Sequence, residues 1–115
     1  MSDTRDFETL LENHPAIEAV IRISRDGLPL ASHTRADAPH IDEIVSVIAG
    51  LYAAARDSRL LKEDDGGRLF IGAVHGSLYC RAIDEQTLLL LLTTDQSTEQ
   101  QLERMYEEWK LYSIQ

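Results

Sequence analysis

The sequence predicts a single α+β domain whose elements follow the order α-β-β-α-β-β-β-α. Apolar residues recur at helical spacing in three segments, alternation of apolar and polar residues marks strands between them, and short polar turns separate consecutive strands. No linker, repeat or low-complexity tract interrupts the 115 residues, a length typical of one domain. We therefore expect one domain over residues 1–115.

The first predicted element is a short amphipathic helix from about Thr4 to Asn13. Phe7, Leu10 and Leu11 share one side of this helix, and acidic residues occupy the other side. Pro15 is expected to end it, because a proline ring clashes with the preceding helical turn and lacks an N–H donor.

A β-hairpin is predicted to follow. Along Ile17–Arg25 an apolar series alternates with polar residues, and we expect its members to share one face: Ile17, Ala19, Ile21 and Ile23. Asp26-Gly27 is typical of a tight hairpin turn, which needs positive φ angles. Leu28–Ser32 is then the return strand, and Pro29 favours a sheet edge because it cannot donate a backbone hydrogen bond.

The second helix has the clearest periodicity and is predicted over Ile41–Leu61. Its apolar stripe, expected to be buried, comprises Ile41, Ile44, Val45, Ile48, Leu51, Tyr52 and Ala55. A weaker second stripe has small residues beside it. The stripe is Val47, Ala54 and Leu61, and the small residues are Ala49, Gly50 and Ala53. They would allow another helix to approach closely, although alanine is also explained by its high helix propensity.

Three strands are predicted next. Leu69–Val74 is largely apolar on both faces, and His75–Ser77 is expected to turn the chain into the strand Leu78–Ile83. After a turn at Asp84–Gln86, the segment Thr87–Thr94 contains five consecutive leucines, which is typical of a central strand covered on both faces.

The last predicted element is a helix that begins at a capping box. Ser97 is the expected cap, and Gln100 follows three residues later, as this motif requires. The helix has one apolar stripe, formed by Leu102, Met105, Tyr106, Trp109 and Tyr112.

Charge and apolar run lengths exclude several classes of partner. The chain has a net charge of −9, and its acidic excess is spread over both halves with no basic patch. We therefore expect no nucleic-acid partner and no direct membrane binding. The run Leu88–Leu92 is too short to span a bilayer. A single cysteine, Cys80, and an N-terminus without a signal-peptide pattern favour a cytoplasmic protein.

No catalytic or cofactor-binding constellation is visible in the sequence. The four histidines lack the close spacing of a zinc site, and we expect them at the surface or in turns: His14, His33, His40 and His75. Cys80 lies in a predicted strand and is expected to be buried and inert. The acidic pairs Asp64-Asp65 and Asp84-Glu85 lie in predicted turns, and no glycine-rich phosphate loop is present. We expect no metal, no cofactor and no enzymatic activity.

The segment Ile21–Ser32 resembles the first hairpin of the Roadblock/dynein-light-chain family, whose members carry the pattern s-R-D-G-l-p-l-a-s after a short amphipathic helix. The order of the remaining elements is similar as well. The resemblance implies a five-stranded antiparallel sheet with the long helix on one face and the two terminal helices on the other, a longin- or profilin-like sandwich. It also implies a non-catalytic protein that forms homodimers or family heterodimers and regulates a Ras-like small GTPase, as MglB-like bacterial members do.

Two surfaces follow from this resemblance. The expected dimer interface joins the second helical stripe to the apolar strand: Val47, Ala54, Leu61, Leu69, Phe70, Ile71, Gly72, Ala73 and Val74. The expected contacts with the GTPase lie on the solvent side of the long helix: Ser46, Ala49, Gly50, Ala53 and Asp57. An alternative function is a scaffold or light-chain-like adaptor with no effect on GTP turnover. A small-ligand sensor is a third class, but Leu, Ile and Val fill the predicted core positions.

Overall fold

The computed structural model describes residues 3–35, 41–62 and 67–114. It contains three helices, α1 (Asp3–Asn13), α2 (Ile41–Asp57) and α3 (Glu99–Ile114). The five strands are β1 (Ile17–Ser24), β2 (Pro29–Thr34), β3 (Arg68–Ala73), β4 (Gly76–Ala82) and β5 (Thr87–Thr93). The order predicted from the sequence is confirmed.

The strands form one antiparallel sheet in the order β2-β1-β5-β4-β3. The leucine-rich strand β5 is central, as predicted, because it pairs with β1 on one side and β4 on the other. The two edges are β2, which begins with Pro29, and β3, the strand that is apolar on both faces.

The sheet separates two hydrophobic cores. Leu88 and Leu90 of β5 pack on one side with α2, whereas Leu89 and Leu91 pack on the other side with residues of α1 and α3. Alternation along β5 therefore supplies both cores from consecutive residues. The long helix on one face and the terminal helices on the other confirm the expected architecture.

The second helix is shorter than predicted, because α2 ends at Asp57. Arg59 has a φ of 64°, in the left-handed region, and the N–H of Leu60 donates to the Ala55 carbonyl at 2.9 Å, so the chain reverses direction here. Leu61 consequently turns into the core on the α2 side and is only 7% exposed. Its expected place on the second helical stripe is therefore wrong, and its burial within the domain leaves little of it to contact a second copy.

A β-bulge changes the predicted facing of β1. The register with β5 shifts between Ile17 and Ala19, so these two residues point to opposite faces. Ile17 packs in the core beneath α1 and α3, together with Val20, whereas Ala19 and Ile21 pack beneath α2. The expectation that Ile17 shares a face with Ala19 is wrong because the extra residue breaks the period of two.

The β3–β4 turn also begins at a position other than the one predicted. Val74 and His75 form the β3–β4 turn, since Ala73 pairs with Gly76. Gly76 belongs to β4, where a Cβ atom would lie 2.3 Å from the carbonyl oxygen of Thr93. Only glycine fits such a close approach of two backbones.

The cap of α3 lies one residue later than expected. The N–H of Thr98 donates to Gln101 Oε1 at 2.8 Å, and the N–H of Gln101 donates to Thr98 Oγ1 at 3.2 Å. The capping box is therefore Thr98–Gln101. Ser97 instead contacts the Asp95 carboxylate through its hydroxyl and accepts a hydrogen bond from Ser77 at its carbonyl.

Candidate interaction surface

The tip of the β1–β2 hairpin packs directly against α2. Gly27 has a φ of +90°, and a Cβ atom on it would lie 3.3 Å from Ser46 Cα and 3.5 Å from Ala49 Cβ. The tip thereby covers Ala49, which is only 4% exposed. The prediction that Ala49 contacts a partner is wrong, because the hairpin already occupies that side of the helix.

Contacts from Arg25 and Tyr52 hold this arrangement in place. Arg25 Nη2 donates to the Asp84 carbonyl at 2.7 Å, and its guanidinium lies 5.5 Å from the centre of the Tyr52 ring. The buried Tyr52 hydroxyl donates to the Gly67 carbonyl at 3.1 Å. The α2 helix is therefore linked both to the hairpin and to the segment that precedes β3.

The opposite flank of α2 exposes apolar side chains. Val47 is 67% exposed and Leu51 is 42% exposed. Each is two positions from Ala49, a rotation of about 200° around the helix axis, so both lie away from the hairpin tip. Leu51 was expected in the buried stripe, but at about 100° per residue it lies outside the sector that faces the sheet.

Within the residues that the structure describes, strand β3 is a sheet edge that pairs with β4 alone, and its one charged residue is Arg68. Ala73 and Gly76 flank a two-residue turn and form a hydrogen-bonded pair, and such pairs alternate along an antiparallel ladder. The N–H and C=O groups of Phe70 and Gly72 therefore point away from β4. No charged side chain occurs between Leu69 and Val74. The exposed side chains of this segment are therefore apolar, with Ile71 39% and Val74 74% exposed.

The exposed flank of α2 and β3 lie on the same side of the molecule. The hairpin tip belongs to β1 and β2, at the end of the strand order opposite to β3. The flank of α2 that faces away from the tip therefore faces the half of the sheet that ends in β3. We call the exposed apolar residues of this flank and strand the α2–β3 surface: Val47, Leu51, Ala54, Ile71 and Ala73.

The predicted partner contacts occupy a different sector of α2. Ser46, Gly50 and Asp57 are exposed, and Ala53 is half-buried. A Cβ atom on Gly50 would meet nothing within 4 Å. Three acidic residues, Asp42, Glu43 and Asp57, are exposed on the same helix, and Arg56 Nε lies 3.4 Å from Asp57 Oδ1, so acidic side chains outnumber basic ones on its solvent side.

A cleft lies beside β3 on the other face of the sheet. It has a volume of about 560 Å³, and β3, Ser77 and residues 96–99 before α3 line it. The side chain of Phe70 borders it and is half-buried, as is that of Leu69 on the α2 side. Gly72 also lines this cleft, and a Cβ atom on it would lie 3.3 Å from Cε2 of the Phe70 ring.

The described residues offer little for covalent or metal chemistry. Cys80 is buried, as predicted, and burial raises its pKa to about 12, so the thiol stays protonated. Within residues 3–35, 41–62 and 67–114, no three His, Cys, Asp or Glu side chains are grouped to hold a metal ion. His40, Asp64 and Asp65 lie outside the described residues. No helix in the described ranges is long and apolar enough to cross a membrane.

The sequence also matches a family model, that of the Roadblock/LC7 domain, over residues 6–93. The chain belongs to the Roadblock/LC7 family. The match covers α1 from residue 6 onward, α2 and all five strands, so the expected relationship is confirmed for most of the chain. A search of curated proteins finds no significant match.

Solved structures share the fold of this Roadblock/LC7 domain. The gliding protein MglB of Thermus thermophilus superposes with a TM-score of 0.76 at 19% identity, over 93% of this chain and 82% of that one. Myxococcus xanthus MglB gives 0.72 at 16% identity, over 98% and 96%. An MglB described with a tetrameric arrangement gives 0.77 at 18% identity, over 93% and 81%. At these identities the likeness shows a shared fold.

Sequence reasoning missed two exposed apolar residues of this Roadblock/LC7 domain. Leu51 was placed in the buried stripe, and Leu60, which is 86% exposed, was placed inside the helix. The exposure of Leu51 could have been predicted from the sequence, because its angle around the helix axis lies at the margin of the buried stripe. The exposure of Leu60 could not, since it follows from the left-handed backbone of Arg59.

Proposed function

We propose that this Roadblock/LC7 domain is a non-catalytic, dimeric module of the cytoplasm that binds and regulates a Ras-like small GTPase. The observation that carries the proposal is the α2–β3 surface, an apolar helix flank beside a free sheet edge, in a fold shared with MglB. The family resemblance supports both parts of the proposal, self-association and contact with a GTPase.

Self-association is supported by the exposed residues of the α2–β3 surface. A sheet edge with no charged side chain after its first residue, Arg68, invites pairing with another strand, and two copies related by a twofold axis can pair identical edges. Burial of Val47, Leu51 and Ile71 would add apolar area to the same interface. We expect more than about 1,200 Å² to be buried in total, the usual lower bound for a stable complex.

Partner binding is supported by the solvent side of α2. The 17 residues of this helix span about 25 Å, so two such helices side by side offer a platform for a small globular protein. Small residues at its centre, Gly50 and Ala53, would let a partner approach the helix closely. The acidic side chains Asp42, Glu43 and Asp57 favour a partner whose contact surface carries Lys and Arg.

Gly50 offers the sharpest test of the platform. Because a Cβ atom on Gly50 would have no atom of its own chain within 4 Å, Gly50→Arg adds a long cation without a clash inside the domain. We expect Gly50→Arg to lose GTPase binding while Gly50→Ala, the matched control, retains it. Both variants should keep the mass of a dimer in light scattering. Normal binding by Gly50→Arg would contradict the platform, and a monomeric mass would place Gly50 in the dimer seam.

The regulatory role is tested by GTP hydrolysis with the captured partner. The GTPase would be isolated from the native source on immobilised wild-type protein, and its turnover measured with and without the domain. A changed rate supports regulation, whereas binding at an unchanged rate would assign the scaffold role. The isolated domain should hydrolyse no GTP, since its sequence has no phosphate loop.

A further inference from the structure

We propose that a second copy adds its β3 strand to this edge in one register, in which Ile71 faces Ile71 of the second copy and Phe70 faces Gly72 of the second copy. The inference rests on the proposed dimer and adds its register. It is carried by the side-chain sequence of β3, the pairing of β3 with β4, and the cleft beside Gly72.

The free edge of β3 lacks the features that normally prevent strand addition. Proline, inward-pointing charges and bulges protect many natural sheet edges. The other edge strand, β2, begins with Pro29 and has a bulge in its pairing with β1. Strand β3 has regular pairing throughout and no charged residue after Arg68. A self-complementary strand is therefore the occupant that best fits this edge.

Backbone geometry limits the possible registers. The outward-facing N–H and C=O groups belong to Arg68, Phe70 and Gly72, because Ala73, Ile71 and Leu69 occupy the hydrogen-bonded pairs of the β3–β4 ladder. If both α2 helices lie on one side of the joined sheet, each residue whose N–H and C=O groups point outward must lie opposite another such residue of the second copy. Two registers then keep most of β3 paired, one centred on Ile71 and one centred on Phe70.

Side-chain size selects the register centred on Ile71. The ring of Phe70 already lies over Gly72 of its own strand, since a Cβ atom there would be 3.3 Å from Phe70 Cε2. In this register each Phe70 lies opposite a residue without a side chain, so the two rings can pack side by side over the glycines. The rings then cover the part of the cleft that Gly72 lines.

The register centred on Phe70 is less favourable for two reasons. It places two phenylalanine side chains directly opposite each other, where Cβ atoms are only about 4.5–5.5 Å apart. It also places Arg68 opposite Gly72, although the Arg68 guanidinium is held 2.6 Å from Glu103 of α3. Gly72 would then face a side chain that is already engaged elsewhere.

Disulfide trapping tests the register. In the proposed pairing Ile71 faces itself in a non-hydrogen-bonded pair with a Cα separation of about 4.5 Å, within the range that a disulfide spans. We expect Ile71→Cys to form a covalent dimer under mild oxidation. Ala73→Cys is the matched control, because each Ala73 faces Leu69 and its own counterpart lies roughly 13 Å away along the strands. The buried Cys80 should not compete, since its pKa is about 12.

Phe70→Cys distinguishes the two registers, since it should cross-link more readily than Ile71→Cys only if Phe70 faces Phe70. That result would overturn the proposal, as would a dimeric protein in which Ile71→Cys stays unlinked. Gly72→Val provides a second measurement, because the added side chain would crowd the Phe70 ring of its own strand and that of the second copy and should weaken dimerisation roughly tenfold or more. Retained dimer affinity in Gly72→Val would also contradict the register. A monomeric wild-type mass would overturn the proposed dimer as well, whereas a failed GTPase assay would leave the register unaffected.

Discussion

Arg68 of β3 and Arg81 of β4 face each other across the antiparallel ladder, and Glu103 of α3 contacts both guanidinium groups, at 2.6 Å and 3.9 Å. Like charges directly opposite each other destabilise a sheet, so the carboxylate offsets a repulsion built into the pairing. Arg81 also contacts Glu107 at 3.1 Å and lies 4.5 Å from the centre of the Tyr106 ring. The edge strand is thereby attached to α3.

Removal of the Glu103 charge should loosen β3. Glu103→Gln leaves Arg68 and Arg81 opposite each other with a weaker bridge, and we expect a loss of about 0.5–1 kcal/mol in the free energy of unfolding. Urea unfolding at a fixed protein concentration measures this. Glu107→Gln is the control. Glu107 is paired with one of the two arginines, Arg81, so this substitution should lower the free energy of unfolding by less. An equal loss in both variants would contradict a special role for Glu103.

Arg35 should be sensitive even to a conservative change. Its guanidinium donates to the carbonyls of Leu11, His14 and Ile17 at 2.7, 3.1 and 3.0 Å, which joins the end of α1 to the start of β1. Lysine cannot reproduce this fork of donors, so Arg35→Lys should lower the free energy of unfolding by about 1–2 kcal/mol. Thermal unfolding tests this, with the exposed Arg5→Lys as control. An unchanged midpoint would show that these three hydrogen bonds do not stabilise the fold.

Two glycines should respond to alanine in opposite directions. Gly76→Ala places a Cβ atom 2.3 Å from the Thr93 carbonyl oxygen, a backbone atom, and should destabilise the sheet by about 2 kcal/mol or more. Gly50→Ala adds a methyl group in open space within a helix and should stabilise it by about 0.5–1 kcal/mol. Melting temperatures compare the two variants. A neutral Gly76→Ala would contradict the close approach of β4 to β5.

Glu108 should contribute a pH-dependent part of the stability. Burial alone would raise the pKa of Glu108, but hydrogen bonds from Tyr112 and His14 outweigh it and hold the pKa below its usual value. A depressed pKa in the folded state stabilises the fold above the unfolded pKa, about 4.5, and that contribution is lost as the pH falls further. Glu108→Gln should therefore reduce the acid sensitivity of unfolding between about pH 5 and pH 3. A profile identical to that of the wild type would refute this.

Local periodicity was sufficient to predict the order of the elements and the central place of β5, because each depends on short-range patterns of apolar residues. The positions that it missed depend on contacts between distant segments. Ala49 is covered by Gly27, which is far away in the sequence, whereas the α2 pattern alone places it only at the margin of the buried stripe.

Backbone irregularities account for the other differences. The bulge before Ala19 moves Ile17 to the opposite face without any glycine or proline inside the strand to mark it. The reversal at Arg59 uses a left-handed arginine, a residue type that rarely adopts this conformation, so the apolar Leu61 extends the helical pattern past its true end. At the candidate surface, the sequence predicted strand β3 correctly as a strand. Only the structure shows that the tip of the β1–β2 hairpin covers the flank of α2 that contains Ala49.

The central position of β5 also determines when the protein can fold during its synthesis. Ile21 pairs with Leu90, so β1 has no inner neighbour until the leucine-rich strand has been translated. Until then the nascent chain exposes one side of β1 together with the apolar faces of α1 and α2, and such surfaces make incomplete chains prone to aggregation. Neither hydrophobic core can therefore form until the late segment Leu88–Leu91 has been synthesised. If translation pauses before this segment, both cores stay incomplete.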